Sequence, residues 1–396
     1  MITEPAFAGV RRAFDENFAA GDEVGAAVCV YHRGRPVVDL WDGHADAERT
    51  DPWRPDTLAV LASPTKALVT GALLHLAERG VVDLDAPIAR YWPEFAAHGK
   101  DRVTARMVLA QRSGVVCLDH DPITPEHLRA HTPIARALAA ARPEWEPDTA
   151  FAYHAATYGH LVSEIIRRRT GRTVGEYFAR EIAAPLGLDC HIGLPDPGAA
   201  HLAAMLESRA EQLMDGAAPG DENPLLVALG DKSSLTYRAS VGTMALPDAL
   251  DPSVEDPSYG GLASAQSLAR YFASFLGPVG GFRLVGPATV ARIRRVHSQG
   301  TCLITRLPAA WGLGMQVADS PVFPAAAGLG GAFGFDGANG VFTFADPDHE
   351  LAFAYVRNAG SATVGRISDR ARRLVEAVYA SAGADTGDHD REVRPR

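Results

Sequence analysis

The stretch that most constrains the fold is Ser63-Pro64-Thr65-Lys66 with the apolar run behind it, Ala67 to Ala77. Thr70 and His75 alone interrupt that run, and a helix apolar nearly all round belongs in a core. Pro64 suits the first helical position, where a missing N–H costs nothing, and Gly80 supplies the stop. Other elements must wrap such a helix, so the chain needs a sizeable interior. Its 396 residues, 47% hydrophobic and 22% charged, are enough for one large two-lobed domain or two ordinary ones.

Ser63 opens this helix, and Lys66 lies one turn along. Residues three apart share a helix face, so the spacing lets Lys66 Nζ reach back to Ser63 Oγ. The serine hydroxyl sits at the favourable end of the helix dipole. A desolvated lysine beside it can lose its proton and act as a base. The same spacing also describes a helix cap followed by a solvated lysine, and only context separates the two.

The rest of the chain places this helix between two groups of strands. Phe7 to Phe18 has helical periodicity, and Val24 to Tyr31 with Pro36 to Trp41 reads as a hairpin around His32-Arg33-Gly34-Arg35. Helices are expected at Thr104 to Gly114, Tyr158 to Thr170, Val174 to Ala184, His201 to Met214, Leu262 to Leu276 and Val364 to Tyr379. Strands are expected at Trp311 to Val317, Gly340 to Ala345 and Leu351 to Val356. The polar composition from Ala384 onward predicts a disordered tail. The economical arrangement is an α+β fold, with an antiparallel sheet built from both ends of the chain and an inserted helical lobe. The expected division is 1–61 with 300–383 as the sheet lobe, 62–299 as the helical lobe and 384–396 as the tail. Ser63 then lies at the seam, where clefts form.

Two further segments carry chemistry. Tyr153, in Phe151-Ala152-Tyr153-His154-Ala155, precedes an amphipathic helix on a loop that can hang over the cleft. A phenol near an ammonium can share a proton with it; a tyrosine packed with its hydroxyl on a carbonyl is the bland reading. Gly334-Phe335-Asp336-Gly337-Ala338-Asn339-Gly340 is the other. Its glycines allow close backbone approach to a ligand, and an N–H there could join that of Ser63 in an oxyanion hole. An ordinary glycine-rich hairpin fits equally well.

Several classes are disfavoured. A net charge of −10 without a basic stripe argues against nucleic acid and anionic membrane surfaces. No apolar stretch reaches transmembrane length and the N-terminus lacks a signal-peptide pattern, so a cytoplasmic protein is expected. Cys29, Cys117, Cys190 and Cys302 are far apart and read as buried free thiols. No G-x-S-x-G elbow and no H-E-x-x-H occurs.

From about Val24 to Tyr379 the chain resembles the serine β-lactamase and penicillin-binding-protein superfamily, and within it the class C β-lactamase-like carboxylesterases, the family VIII esterases. The resemblance rests on Ser63-Pro64-Thr65-Lys66, Gly80-Val81-Val82-Asp83-Leu84-Asp85-Ala86-Pro87, Tyr153-His154-Ala155 with Thr157-Tyr158-Gly159, Pro185-Leu186-Gly187-Leu188 and Phe344-Ala345-Asp346-Pro347. It implies a β-lactamase/transpeptidase-like fold, with Ser63 as nucleophile, Lys66 as general base and Tyr153 as proton shuttle. It also implies an oxyanion hole from the Ser63 and Ala338 N–H groups beside Gly337, and no metal or cofactor. Two positions depart from the superfamily pattern. Ala155 stands where β-lactamases and transpeptidases carry asparagine, and Phe335 where their third motif has lysine or histidine. Losing both polar groups argues against β-lactam or D-Ala-D-Ala substrates, and an apolar wall at Phe335 suits a neutral ester. His154 is a candidate substrate contact or a packed loop residue.

The expected activity is therefore hydrolysis of a small-molecule carboxylic ester through an acyl-Ser63 intermediate. A transacylase that passes the acyl group to an amine or alcohol shares every feature up to deacylation. A β-lactamase or peptidase, or a silent binding protein of the same fold, are the remaining alternatives.

Overall fold

The computed structural model describes residues 1–21, 23–118, 123–206, 224–243, 251–318, 320–359 and 366–389. A nine-stranded sheet, antiparallel throughout, forms one half of the molecule. Its strands are β1 (Ile2–Thr3), β2 (Gly25–His32), β3 (Arg35–Gly43), β7 (Ser298–Thr301), β8 (Pro308–Trp311), β9 (Gln316–Val317), β10 (Phe333–Asp336), β11 (Phe342–Asp346) and β12 (Leu351–Arg357). They lie in the order β1-β3-β2-β12-β11-β10-β9-β8-β7. The junction of the two chain ends is the β2–β12 pair, in register from Leu351 opposite His32 to Arg357 opposite Ala26. The hairpin anticipated at Arg33-Gly34 is present, with both residues at positive φ (52° and 76°), as a two-residue turn of matching twist requires.

The sheet is covered on both faces, which explains why β2 is buried at all eight positions. Ala26, Val28 and Val30 face helices α1 (Ala8–Ala19) and, at the chain's end, Asp369–His389. Ala27, Cys29 and Tyr31 face a larger core built on α2 (Thr65–Glu78) and the helices Thr157–Thr170 and Ala265–Leu276. The α2 helix is buried at twelve consecutive positions, Thr65 to Leu76, as its composition demanded. A second sheet, β4 (Ala59–Val60), β5 (Cys190–Ile192) and β6 (Gly261–Ala263), ordered β4-β6-β5, leads the chain into α2. All four cysteines are free and buried.

Local readings differ from the structure where tertiary pairing competes with periodicity. Residues 201–206 are extended rather than helical, because Leu202 bridges in parallel to Leu58 and Ala203 N–H donates to the Leu58 carbonyl; the rest of that expected helix, from Glu207, lies outside the described residues. The expected helix from Leu262 starts only at Ala265: Gly261–Ala263 pair with β4 and β5, and the Ser264 side chain then caps the helix by accepting from Ser267 N–H. The expected strand Trp311 to Val317 is two strands, since Gly314 turns at φ 79°. The final helix runs to His389, into the tail expected to be disordered from Ala384; once formed, a helix gains one bond per added residue and propagates readily, and the rest of that tail, 390–396, lies outside the described residues.

Candidate active site

The nucleophile position is a sharp bend. Leu61 N–H donates to the Gly261 carbonyl at 2.8 Å, Ala62 turns at φ 57°, and Thr65 N–H donates back to the Ala62 carbonyl at 3.0 Å. A non-glycine residue in that conformation is costly by about 1–3 kcal/mol and persists only where the surroundings over-determine it. Ala62 is fully buried between strand and helix, and the bend presents Ser63, half-buried, at the head of α2.

Ser63 Oγ lies 2.6 Å from the Tyr153 hydroxyl. The spacing expected Lys66 to reach Ser63; the structure gives Lys66 Nζ a bond to the Ser258 carbonyl at 2.7 Å, 5.1 Å from the centroid of the Tyr153 ring. Lys66 is 1% exposed. Serine, phenol and amine thus converge, with the phenol next to the nucleophile. Ser258 owes its place to the start of the Thr157–Thr170 helix, α3 here. Its hydroxyl donates to the Ala156 carbonyl at 2.6 Å and accepts from Gly159 N–H at 3.0 Å. A Cβ on Gly159 would come within 2.2 Å of the Pro257 carbonyl, so only glycine permits this approach. Asp256 Oδ1 completes the turn by accepting from Ser258 and Tyr259 N–H groups.

The glycine-rich segment is the β10–β11 hairpin turn, and it packs on the nucleophile bend. Asn339 Nδ2 donates to the Val60 carbonyl at 2.7 Å, and a Cβ on Gly337 would meet the Leu61 carbonyl at 2.8 Å and Pro64 Cδ at 3.3 Å. The turn is closed by Gly337 N–H to the Val341 carbonyl and Gly340 N–H to the Gly337 carbonyl. Among the described residues, neither the Ser63 N–H nor the Ala338 N–H donates a hydrogen bond. Two backbone donors left over beside a serine are the material of an oxyanion hole.

Phe335 and His154 are placed differently from the sequence reading. Phe335 is 0% exposed and packs at a tilt of 57° against Trp311, with centroids 5.5 Å apart, so it forms no open wall. Strand alternation turns Phe333 and Phe335 together into the core, whereas Asp336 points the other way and accepts from Gln316 Nε2 at 2.8 Å. Burial raises the Asp336 carboxyl, opposed by the Gln316 bond and the Lys66 charge. His154 is also fully buried: Nε2 meets Ser113 Oγ at 2.7 Å, Nδ1 meets the Ala152 carbonyl at 2.6 Å, and its backbone N–H donates to Gln111 Oε1. Every polar atom of the ring has a core partner, so this is the packed loop histidine.

Burial lowers His154 to about 4, and burial first, with Asp256 opposing, does the same to His160. Both values lie below the ordinary 6.5, so the unfolded chain takes up protons that the native one refuses. The stability they contribute is complete above pH 6.5 and declines as pH falls toward 4, by on the order of 3 kcal/mol per histidine. Urea unfolding at pH 7 and pH 4.5 is expected to show this loss, and His154→Phe is expected to flatten the dependence. A midpoint independent of pH in the parent would contradict it.

Trp311, Ser258, Asn339 and Gln316 are site residues that sequence reasoning missed. Trp311 stacks flat on the Tyr153 ring, with centroids 5.5 Å apart and planes 11° apart. None carries a local signal: each reaches the site by a long-range contact, and Trp311 resembles any core strand aromatic. An apolar cleft of about 520 Å³ opens beside β4 and β6, lined by Val60, Leu202, Met205, Val254 and Leu262, with Arg129 and Asp251 paired at 2.7 Å on its wall.

The chain is similar to known proteins along most of its length. The family model described as Beta-lactamase matches residues 10–377. The esterase/beta-lactamase LipL of Mycobacterium tuberculosis is 33% identical over 372 residues, covering 90% of this chain and 82% of the relative. Among solved structures, a penicillin-binding-protein homolog from Caulobacter crescentus superposes with a TM-score of 0.83 at 33% identity, covering 96% of this chain and 99% of its own. A family VIII carboxylesterase does so with a TM-score of 0.82 at 31% identity and the same coverage.

Proposed function

Because this chain belongs to the beta-lactamase family, we propose that its serine-hydrolase chemistry is cleavage of neutral carboxylic esters through an acyl-Ser63 intermediate. The observation that carries the reading is the 2.6 Å contact between Ser63 Oγ and the Tyr153 hydroxyl, beside two N–H groups that, among the described residues, donate to nothing. Tyr153 takes the Ser63 proton as Oγ attacks the ester carbonyl while passing its own phenolic proton to Lys66 in its amine form, so that one proton moves from serine to lysine. The Ser63 and Ala338 N–H groups bind the tetrahedral oxyanion, whose charge develops where they point. Collapse expels the alcohol, which regains the proton from the Tyr153–Lys66 pair. Water then attacks the acyl-Ser63 carbonyl, with the same pair taking its proton, and the free acid leaves.

The ester reading, as against a β-lactam, rests on what surrounds the nucleophile. Ala155 and Phe335 supply no polar group for a substrate carboxylate, and the cleft beside Val60 is lined mostly by apolar side chains, with the Arg129–Asp251 pair and Asp256 also on its wall. An apolar acyl group fits that lining by the area it buries, at about 25 cal/mol per Å². Leu262→Arg is therefore expected to lower kcat/KM for octanoyl aryl esters by about 10-fold or more while acetyl ester turnover changes little, since each buried methylene is worth about 0.8 kcal/mol. Equal losses on both esters would remove the cleft from the substrate path.

The direct test is intact-protein mass after brief mixing with a short-chain aryl ester. A transient adduct of acyl mass, absent in Ser63→Ala, is the expected result. Turnover that persists in Ser63→Ala would overturn the mechanism. Adding a nucleophilic amine separates hydrolysis from transfer: free acid as the main product supports the esterase, and acylated amine as the main product favours the transacylase.

A further inference from the structure

The mechanism makes Tyr153 the group in contact with the nucleophile, and backbone bonds on both sides of it fix where its chain runs. Tyr153 N–H donates to Cys302 Sγ at 3.2 Å, and the neighbouring Ala152 and Ala155 N–H groups donate to the Gln111 and Tyr153 carbonyls. None of these fixes rotation about the side-chain torsions. Productive sites need their groups held within about 0.5 Å and 10–20°, and a small swing of a tyrosine ring carries its hydroxyl further than that. The aim of the phenol therefore depends on the contacts of the ring, over which Lys66 Nζ lies 5.1 Å from the centroid and on which Trp311 stacks.

We propose that Trp311 is a positioning residue for the reaction: its indole, flat against Tyr153 and backed by Phe335, holds the phenol at Ser63. The stack is nearly parallel, 11° at 5.5 Å, and Phe335 meets the other ring at 57° and 5.5 Å. The indole is 2% exposed and rooted in the sheet, where Trp311 pairs with Ser298 on one side and Gln316 on the other. Its Nε1–H is buried and, among the described residues, has no hydrogen-bond partner. A buried donor without a partner costs about 1–3 kcal/mol, which a phenylalanine would not incur. The position therefore uses the breadth of the indole face and gains nothing from its N–H. Phe335, where the superfamily's third motif holds a cation, becomes the support for this stack.

The inference rests on Tyr153 carrying the proton, so parent, Ser63→Ala, Tyr153→Phe, Trp311→Phe, Trp311→Leu and Phe335→Leu are to be measured together with one acetyl aryl ester. Phe333→Leu, a core aromatic that packs on Phe275 away from Tyr153, reports the effect of lost packing alone. Trp311→Leu is expected to lower kcat by about 10- to 100-fold with KM within about twofold, the size of effect that misplacing a reacting group produces. Its pH–rate profile is expected to be displaced from that of the parent. Trp311→Phe, which keeps a ring face, is expected to recover most of the rate, and Phe335→Leu to show a smaller loss in the same direction.

An active parent that needs Tyr153 but retains its kcat and pH profile in folded Trp311→Leu overturns the inference alone. An active parent insensitive to Tyr153→Phe overturns the mechanism beneath it. A loss in Trp311→Leu no larger than in Phe333→Leu, with the profile unmoved, also overturns the inference. Should Trp311→Leu fail to fold, Phe335→Leu decides by the same criteria, since it leaves both rings of the stack in place.

Discussion

Ser63→Ala is expected to lower ester turnover by on the order of 10⁴-fold or more, the scale seen when a covalent nucleophile is removed from a site whose other groups remain. The substitution deletes one oxygen at a half-buried position and breaks one hydrogen bond, that to Tyr153. The bend that presents residue 63 is held by the backbone bonds of Leu61 and Thr65 and by Asn339 on Val60, none of which involves the hydroxyl. Stability should therefore stay close to the parent's, with the melting temperature within a few degrees for a change of about 1 kcal/mol. Loss of activity together with loss of fold would mean that the serine is a structural cap. Activity retained within tenfold would remove Ser63 from the chemistry.

Tyr153→Phe separates proton transfer from packing. The variant keeps the ring that stacks on Trp311 and loses only the hydroxyl 2.6 Å from Ser63 Oγ. General acid–base groups contribute about 10²- to 10⁴-fold, so kcat is expected to fall within that range while KM, set by contacts elsewhere, changes little. The acyl-Ser63 adduct is expected to form and decay slowly, because the phenol takes a proton in both half-reactions. A rate near the parent's would leave Lys66 as the sole base acting on Ser63. Wild-type acylation with slowed deacylation would confine Tyr153 to the second step.

Much of this was legible from the order of residues, for reasons that are local or periodic. The run Ala67 to Ala77 has no polar face, so α2 had to be interior, and twelve consecutive positions are buried. The Arg33-Gly34 hairpin and the stop of α3 at Gly171, which turns at φ 73°, follow from turn and cap chemistry within a few residues. Ser63 and Tyr153 stand out as chemistry-bearing side chains at the head of a buried helix and on a loop, and the fold brings them together. The antiparallel sheet built from both chain ends follows from burial, since strands at the two ends had to cover one core.

The tertiary structure alone decided which side chains face that pair. His154 adjoins Tyr153 in sequence, but its ring turns away from Ser63 to Ser113 and the Ala152 carbonyl. Phe335 lies in the strand that leads into the glycine-rich turn, and strand alternation buries it against Trp311. Lys66 sits one turn from Ser63 as its spacing required, yet the carbonyl that holds its ammonium or amine group comes from Ser258, 192 residues away. Residues 201–206 and 261–263 became extended because partners at Leu58 and in β4 and β5 offered ladder bonds. Sequence carries what neighbours along the chain impose, namely helix, turn, burial and the identity of reactive groups. Contacts between residues far apart in the chain set aim and distance, and the stack of Trp311 on Tyr153 exists only in the folded chain.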